Sequence, residues 1–462
     1  MSPSPEVGAK LAHSLKPRHV TMISIGGIIG AGIFVGSSVA IHIAGPVVLL
    51  SYLLCGLLVF VIMRMLGEMA MARPGVGSFT GYTSLGLGPW AGFTNAWLYY
   101  YFWVITIAVE AIAGANMLMP FIHLPMWALS GLLIAAMTGV NLMSVKTYGE
   151  FEFWFASLKV VTIVGFIALG LGYIFGFGPG LAALSAQFAG HGGAAPTGYG
   201  TVFLAIPTVI FSMMGSEVAT IAAVETEDPA RNVVRAGRTV ALRIMFFYIG
   251  SIAVIQAILP WDTVVPGESP FVAALGVIHV PGASAIIGAV IFTAIVSCLN
   301  SAIYVTSRML YEMAQRGDAP AVFLQTSKSK VPATGIIVSG LLGFGVMLTS
   351  VMSSGGLFAF LVQSSGATIM CVYLLIAFAQ IQLRQRLERN GETLAIKVWL
   401  FPGVSYAAVA NILAVLIMML FSVDERMEVI LSVGVFAAFV IAYHVRARLG
   451  SPVVTITGAV TN

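Results

Sequence analysis

Charged residues are scarce in this 462-residue chain. They make up 9% of it, whereas a typical soluble domain carries about 25%. Hydrophobic residues account for 59%, and the mean hydropathy is +0.98. These values exclude an ordinary soluble globular protein and override the roughly three soluble domains that the length alone favours. We therefore interpret the chain as one bundle of membrane-spanning helices.

Cysteine is also scarce, and no catalytic pattern is visible. The three cysteines, Cys55, Cys298 and Cys371, lie in apolar runs without disulfide or metal-ligand spacing. No Ser/His/Asp constellation appears, and the net charge of +4 forms no basic face. We therefore expect a protein that is not an enzyme, without cofactor, metal, nucleic-acid partner or obligate partner protein. Histidines too scattered to indicate a metal are His42, His123, His191 and His279.

Long apolar runs are abundant, and each approaches the roughly 20 residues that a membrane-spanning helix needs. The polar segment Met1–Arg18 lacks the apolar core of a signal peptide, so we expect the first run to be retained. We number the runs span 1 to span 12. They cover 20–41, 47–72, 89–120, 125–144, 153–176, 200–223, 239–260, 284–310, 332–352, 357–381, 401–421 and 427–445.

The basic residues predict the orientation. With the N-terminus in the cytoplasm, 20 of the 22 Lys and Arg residues fall on the cytoplasmic side, as the positive-inside rule requires. Arg426 then lies outside, and Lys159 lies within span 5. Both termini are expected to be cytoplasmic, which also requires an even number of spans.

Helix breakers interrupt spans 1 and 6. Span 1 contains Gly26-Gly27-Ile28-Ile29-Gly30-Ala31-Gly32, and span 6 contains Pro207 and then Ser212-Met213-Met214-Gly215-Ser216. These spans begin two sets of five, and breaks at matching positions favour an inverted repeat with a binding site at the membrane midplane. The freed amides of span 1 suit a carboxylate, and the freed carbonyls suit an ammonium. A small zwitterion fits both.

The glycines of span 1 have two other interpretations. They could pack helices closely, although the paired break in span 6 makes this less favourable. The string also resembles a nucleotide fingerprint, but that fingerprint needs a preceding strand in a βαβ unit, which the sequence lacks.

Three ionisable residues lie within spans, where buried charge is costly and generally functional. They are Glu110 in span 3, Lys159 in span 5 and Glu217 just after the span 6 break. Burial shifts the balance of such groups toward the neutral form, so any of them could couple to protons. The alternatives are a helix–helix contact for Glu110, snorkelling for Lys159 and a backbone contact for Glu217. Expected to be structural at cytoplasmic helix ends are Glu68, Glu150 and Glu152.

Polar and aromatic residues on other spans are candidates for completing a pocket. Ser364 and Ser365 are expected to break span 10, and Tyr99, Tyr100 and Trp103 could wall a site. Interfacial anchoring is the alternative for the aromatic residues, and hydrogen bonds between helices are the alternative for the polar ones. At helical spacing on span 8 lie Ser297, Asn300, Ser301 and Tyr304.

With these motifs the chain resembles bacterial amino acid permeases of the amino acid–polyamine–organocation superfamily, over residues 12–446. Ser297 to Ser301 and the Gly-Ser-Ser at 36–38 are most similar to γ-aminobutyrate permeases. The motifs that carry the resemblance are Leu15-Lys16-Pro17-Arg18-His19-Val20-Thr21-Met22-Ile23-Ser24-Ile25-Gly26-Gly27, Gly30-Ala31-Gly32-Ile33-Phe34-Val35-Gly36, Arg64-Met65-Leu66-Gly67-Glu68-Met69, Tyr148-Gly149-Glu150-Phe151-Glu152-Phe153-Trp154, Gly215-Ser216-Glu217, Asn300-Ser301-Ala302-Ile303-Tyr304, Ser307-Arg308-Met309-Leu310 and Gly317-Asp318-Ala319-Pro320.

The resemblance implies the leucine-transporter fold, in which two five-helix inverted repeats are followed by two peripheral helices. It places a carboxylate site at Ile28 to Gly32 and an ammonium site near Phe211 to Gly215. It also implies that Lys159 replaces a sodium ion and that Glu217 is a proton-sensitive gate. The expected units are a cytoplasmic segment 1–19, a transport core 20–383 with repeats 20–176 and 200–383, peripheral helices 384–446 and a cytoplasmic tail 447–462.

The resulting hypothesis is a transporter of the bacterial cytoplasmic membrane that imports a small zwitterionic amino acid, γ-aminobutyrate favoured, together with a proton. Its partners are the substrate, protons and membrane lipid. An exchanger, a permease for another class of amino acid and an amino acid receptor stay open. Proton coupling is assigned to Lys159 and Glu217. The expected substrate-binding residues are Gly27, Ile28, Ile29, Gly30, Ala31, Gly32, Glu110, Phe211, Ser212, Met214, Gly215, Asn300 and Ser301.

Overall fold

The computed structural model describes residues 29–74, 76, 78–143, 145–178, 189–215, 217–218, 231–235, 237, 244–327, 329–352 and 357–449. Gly27 and Ile28 of the predicted carboxylate site lie outside these residues. Across the described ranges the secondary structure is helical, without a β-strand. Every one of the twelve predicted spans contains helix. The prediction of an all-α protein with multiple membrane spans is therefore confirmed.

The helices of the first six spans include one long helical segment that is shared by two spans. Seven described helices are long and apolar enough to cross a bilayer, and the first of these, Gly32–Ala72, joins spans 1 and 2. The helices are Gly32–Gly36 and Ser37–Ala44 in span 1, Val48–Ala72 in span 2, Phe79–Leu87 before span 3, Pro89–Leu118 in span 3, Met126–Asn141 in span 4, Val145–Gly172 with Tyr173–Phe177 in span 5, and Thr201–Leu204 with Ile206–Met213 in span 6.

The last six spans include two long, uninterrupted α-helices. Two of them, in spans 8 and 10, have 33 residues each. The helices are Ile244–Ile249 and Gly250–Ile258 in span 7, Pro270–Ile278 before span 8, Ala283–Gln315 in span 8, Ala333–Met352 in span 9, Leu357–Arg389 in span 10, Gly403–Phe421 in span 11 and Arg426–Arg448 in span 12.

Within the described residues, the backbone is not helical at either predicted break. Ile29 and Gly30 form a bend, after which Ala31 begins a helix with a π turn at Gly32–Gly36. Span 6 stops at Met213, because Met214 is extended and Gly215 adopts φ +113°. Only glycine takes this left-handed conformation without strain. Glycine occurs at both breaks, so the local sequence accounts for their positions.

Glycines bring the interrupted spans into direct contact with their neighbours. A Cβ added at Gly32 would lie 2.6 Å from the Cα of Ser212, so the breaks of spans 1 and 6 touch. At Gly366 of span 10, a Cβ would clash with the carbonyl oxygen of Pro207. Any larger residue at these two positions would push the helices apart, because close-packed backbone cannot yield.

Span 10 corrects one expectation. Ser364 and Ser365 do not break the helix, which runs without interruption over Leu357–Arg389. The hydroxyl of Ser364 donates to the Leu361 carbonyl, and Thr368 donates to the Ser364 carbonyl. Serine and threonine hydroxyls can bond back to the preceding turn without ending a helix. This is why a pair of serines is a weaker breaker than glycine or proline.

Candidate functional site

The break in span 1 contacts a carboxylate in this structure. The backbone N–H of Ala31 donates to both oxygens of Glu110, at 3.1 Å to Oε1 and 3.0 Å to Oε2. Glu110 reaches it from span 3 and is only 1% exposed. A backbone amide freed by a helix break is a ready donor to an anion. The Ala31 amide can therefore donate to a carboxylate, and in this structure the acceptor is a protein side chain.

Gly30 makes room for that contact. A Cβ at this position would lie 2.6 Å from Oε1 of Glu110 and 2.7 Å from both Cβ and Sγ of Cys298. Spans 1, 3 and 8 therefore converge at Gly30, while Gly32 brings in Ser212 of span 6. Four spans thus meet within two residues of Ala31.

Lys159 is fully buried, and it does not reach the membrane surface. It is 0% exposed, so the snorkelling alternative is wrong. Its Nζ donates to Oγ of Ser297 at 3.0 Å and lies 3.8 Å from Oε1 of Glu152. Ser297 in turn donates to Oε2 of Glu152 at 2.8 Å, and Ser301 donates to the same oxygen at 3.2 Å. A buried ion pair between two sites on span 5 is thereby tied to span 8.

Glu152, which the sequence predicts to be a structural carboxylate at a cytoplasmic helix end, is 0% exposed and forms an ion pair with Lys159. A separation of seven residues is two helical turns and places both side chains on one face. That spacing was the available signal.

Two carboxylates and one ammonium lie around span 8. Glu110 is beside Cys298, and Glu152 and Lys159 meet at Ser297, the adjacent residue of the chain. Buried charge is costly unless it is paired or hydrogen-bonded. The described contacts pair Glu152 with Lys159 and give Glu110 the backbone N–H of Ala31 as a donor.

Glu217 joins the span 6 break to spans 3 and 10. Its Oε1 accepts from the Tyr99 hydroxyl at 2.8 Å and from the Gly215 N–H at 3.1 Å. Its Oε2 accepts from the Tyr373 hydroxyl at 3.4 Å. Glu217 is 0% exposed. The backbone contact expected of it is present, together with two contacts that bind the break to its neighbours.

The carbonyls of the predicted ammonium site have partners within the protein. The Phe211 carbonyl accepts from Met214 N–H at 3.3 Å, and the Ser212 carbonyl accepts from the Tyr248 hydroxyl at 2.6 Å. Each carbonyl oxygen has two lone pairs, so a further donor is compatible with both. The Met214 sulfur accepts from the Tyr373 hydroxyl at 3.2 Å. Phe102 of span 3 packs edge-on against the Phe211 ring at 6.0 Å.

Asn300 and Ser301 make contacts away from the helix breaks. Asn141 of span 4 donates to the Asn300 side chain at 2.7 Å and to its carbonyl at 3.1 Å. Ser301 contacts Glu152. The described contacts therefore place these two predicted binding residues beside spans 4 and 5. In the described residues no group of three or more His, Cys, Asp or Glu is arranged to hold a metal ion.

The aromatic residues of span 3 are buried, and the interfacial-anchor alternative is wrong for them. Tyr99, Tyr100 and Trp103 all lie in the protein interior. Tyr99 contacts Glu217, whereas the Tyr100 hydroxyl lies 3.4 Å from that of Ser339 on span 9. Of the three, Tyr99 is the one that the structure joins to the candidate site.

Comparison with known proteins places this architecture in a family. Residues 19–455 match the family model described as amino acid permease. A gamma-aminobutyric acid permease of Bacillus subtilis is 47% identical over 441 residues, which cover 95% of this chain and 94% of the relative. A probable GABA permease of Pseudomonas aeruginosa is 45% identical over 425 residues, covering 91% and 90%. A gamma-aminobutyric acid permease of Escherichia coli is 44% identical over 438 residues, covering 94% and 93%.

The match extends over spans 1 to 12 and includes the residues of both helix breaks. The resemblance noted in the sequence motifs is thereby confirmed. The chain belongs to the amino acid permease family of the amino acid–polyamine–organocation superfamily, and it is a multi-pass membrane transporter of amino acids.

Proposed function

We propose that this permease imports a small zwitterionic amino acid, with γ-aminobutyrate preferred, by proton symport with alternating access. The observation that carries the proposal is the hydrogen-bonded contact between the Ala31 N–H and the Glu110 carboxylate. It supports a carboxylate-binding role for the span 1 break. The preference for γ-aminobutyrate is supported by the three relatives named above, which are 44–47% identical.

The carboxylate of the substrate binds where Glu110 now binds. Two carboxylates cannot share one backbone donor in a buried site, because their charges repel strongly at low dielectric. The substrate therefore reaches the Ala31 N–H only after Glu110 has been protonated or has moved. Protonation removes the repulsion and leaves Glu110 with a hydroxyl that can donate to the incoming carboxylate. One proton thus enters with each substrate.

Lys159 and Glu217 set the response of the surrounding helices to that proton. Lys159 holds span 5 to span 8 through Ser297, directly beside the Cys298 that borders Gly30. A change of charge at Glu110 alters the balance around the Lys159–Glu152 pair. Glu217 holds the span 6 break to spans 3 and 10 through Tyr99 and Tyr373. Alternating access then proceeds by movement of spans 1 and 6 relative to spans 3 and 8.

The substrate's ammonium group binds at the span 6 break. The carbonyls of Phe211 and Ser212 have remaining acceptor capacity, and Gly32 places them beside span 1. The protein resides in the bacterial cytoplasmic membrane with both termini in the cytoplasm, as its basic residues favour. Fusions of a cytoplasmic and a periplasmic reporter enzyme to the C-terminus test this orientation.

Proteoliposomes test the transport proposal. We expect γ-aminobutyrate to accumulate in vesicles that are empty of substrate when the outside is made acidic, and a proton ionophore to abolish the accumulation. Uptake that requires substrate inside the vesicle supports the exchanger instead. A competition panel of unlabelled γ-aminobutyrate, aromatic, cationic and small neutral amino acids then identifies the substrate class. Stronger competition by any α-amino acid than by γ-aminobutyrate contradicts the proposed preference.

A further inference from the structure

A cavity of about 170 Å³ lies along the C-terminal half of the span 2 helix, and none of its lining residues belongs to the helix breaks. Its lining includes Phe60 and Arg64 of span 2, Val234 after span 6, and Ile396 and Trp399 before span 11. Trp399 precedes the start of the span 11 helix at Gly403 by four residues. Tryptophan at a helix end is typical of the membrane–water interface. Trp399 and the distribution of basic residues therefore favour the cytoplasmic headgroup region as the location of the cavity.

The cavity combines one cation with aromatic and aliphatic walls. The guanidinium of Arg64 stacks over the Trp399 ring at 4.1 Å, and Phe60 lies 5.7 Å from the same ring. Arg64 uses Nε and Nη2 to donate to the Lys397 carbonyl, at 3.1 and 2.8 Å. A guanidinium has five N–H donors. Arg64 can therefore hold this segment and still donate to an anion.

The segment before span 11 is fixed in position by further contacts. The Val398 N–H donates to Glu68 at 2.5 Å, and the Val398 carbonyl accepts from Arg384 at 3.0 Å. Arg384 also contacts Glu68, at 3.1 Å. The acidic charge of Glu68 is thereby matched within the protein. A pre-formed wall costs little ordering on binding, which favours affinity.

Among the described residues, two exposed cations adjoin the lining of the cavity in the chain. Lys397 follows the lining residue Ile396, and Arg235 follows the lining residue Val234. Glu392 is the acidic residue nearest to Lys397 in the chain, and it forms a two-point ion pair with Arg73. Basic pockets between membrane helices on the cytoplasmic side are suited to anionic lipid headgroups.

The face of span 2 that leads away from Arg64 is apolar and exposed. Leu50, Leu53, Leu57 and Phe60 follow at intervals of three and four residues and so share a face with Arg64. Leu57 is 55% exposed and Leu53 is 38% exposed. The distance from Arg64 to Leu57 is two helical turns, about 10 Å. This face offers a path for a hydrocarbon chain that begins at a cationic headgroup site.

We propose that this cavity binds an anionic phospholipid of the cytoplasmic leaflet, with its phosphate at Arg64 and one acyl chain along Phe60, Leu57 and Leu53. The lipid bridges span 2, the segment after span 6 and the segment before span 11. The proposal is independent of the transported substrate and of proton coupling.

The test is native mass spectrometry of the purified full chain with added phosphatidylglycerol or phosphatidylcholine of equal acyl length. We expect phosphatidylglycerol to be retained preferentially. Lys397→Gln removes an exposed cation but keeps the backbone carbonyl that anchors Arg64. We expect Lys397→Gln and Arg64→Gln each to weaken phosphatidylglycerol binding about fivefold, since a basic residue near an anionic surface contributes about 1 kcal/mol. Arg426→Gln is the matched control. Arg426 is also exposed, and the predicted orientation places it on the opposite side of the membrane.

The deacylated headgroup glycerophosphoglycerol distinguishes a lipid site from a site for soluble phosphates. We expect a large excess of it to leave the bound lipid in place. Displacement of the lipid by this compound assigns the cavity to a soluble phosphate and overturns the proposal. Equal retention of the two lipids, or unchanged binding by Lys397→Gln, also overturns it, as is expected if another segment of the chain fills the cavity.

Discussion

Glu110 and Ala31 meet across 79 positions of sequence, and the side-chain carboxylate of one accepts the backbone N–H of the other. The contact joins span 3 to the break in span 1, and both residues are buried. A second carboxylate brought to the same buried amide would be repelled by an ionised Glu110. If the proposed exchange of carboxylates is right, the charge of Glu110 controls substrate binding.

Glu110→Gln is expected to remove proton-driven accumulation while leaving substrate exchange measurable. Glutamine cannot carry the proton, but it no longer opposes the substrate carboxylate with a negative charge. In the unmodified protein substrate affinity should fall as the pH rises, whereas in Glu110→Gln it should be independent of pH. Uptake and counterflow in proteoliposomes measure both effects. Glu268→Gln, at an exposed loop glutamate, is the control, and continued accumulation by Glu110→Gln contradicts the assignment.

Gly30→Ala is expected to reduce uptake at least about fivefold, because overpacking a close contact costs roughly 1–3 kcal/mol. The added Cβ would lie 2.6 Å from Glu110 and 2.7 Å from Cys298. Gly36→Ala in the same span is the matched control, since the nearest atom to its Cβ is 3.7 Å away. Radiolabelled uptake, normalised to the amount of protein in the membrane, measures the difference. Equal uptake by the two variants would show that Gly30 has no tight contact.

Lys159→Met is expected to destabilise the protein, because it leaves Glu152 buried without its cation. Removing one partner of a buried pair costs about 3–5 kcal/mol. The double variant Lys159→Met with Glu152→Gln should regain most of the thermal stability but not proton-driven uptake. Thermal unfolding in detergent, monitored by size-exclusion chromatography, measures the stability. Uptake into proteoliposomes measures the proton-driven transport. Full uptake by the double variant contradicts a coupling role for Lys159.

Tyr99→Phe is expected to impair transport more than Tyr373→Phe. The Tyr99 hydroxyl donates to Glu217 at 2.8 Å, whereas the Tyr373 hydroxyl does so at 3.4 Å. A hydrogen bond to a charged group is worth about 1.5–3 kcal/mol, and the longer one less. Tyr100→Phe is the control, because its hydroxyl contacts Ser339 instead. The initial uptake rate should therefore be lowest for Tyr99→Phe, intermediate for Tyr373→Phe and highest for Tyr100→Phe.

Glu425→Gln is expected to stabilise the protein at alkaline pH. Burial, with Glu428 and Asp424 close by, raises the pKa of Glu425 to about 8 at the start of span 12. The folded state binds this proton more tightly than the unfolded state, so stability is lost as the pH rises from about 4.5 to 8. The variant should unfold at least about 2 °C higher at pH 8.5 and nearly unchanged at pH 4.5. An equal shift at both values would exclude titration of Glu425 as the cause.

Much of the fold follows from local properties of the sequence. Apolar runs of sufficient length must form helices in a bilayer, because no water is present to satisfy an open backbone. The breaks at Gly30 and Gly215 arise from the residues at those positions. The expected break at Ser364 and Ser365 was wrong, because a serine hydroxyl can donate to a carbonyl of its own helix and leave the helix intact.

The site could be predicted less completely. Glu110, Lys159 and Glu217 stood out because charge within a span is rare, but their partners did not. The spacing of Glu152 and Lys159 predicts a shared helix face, but it does not predict how deeply that face is buried. Asn300 and Ser301 share a helix face with Ser297, yet their contacts lie with Asn141 and Glu152.

The sequence by itself determined that this chain is a multi-span helical permease with interruptions in spans 1 and 6, because hydropathy, helix breakers and family motifs are properties of contiguous residues. Only the tertiary structure decided which buried charges meet. Lys159 and Ser297 are 138 positions apart, and Glu110 and Ala31 are 79 apart. Contacts over such separations depend on how helices pack against one another, and close packing of side chains fixes that arrangement only in the folded protein.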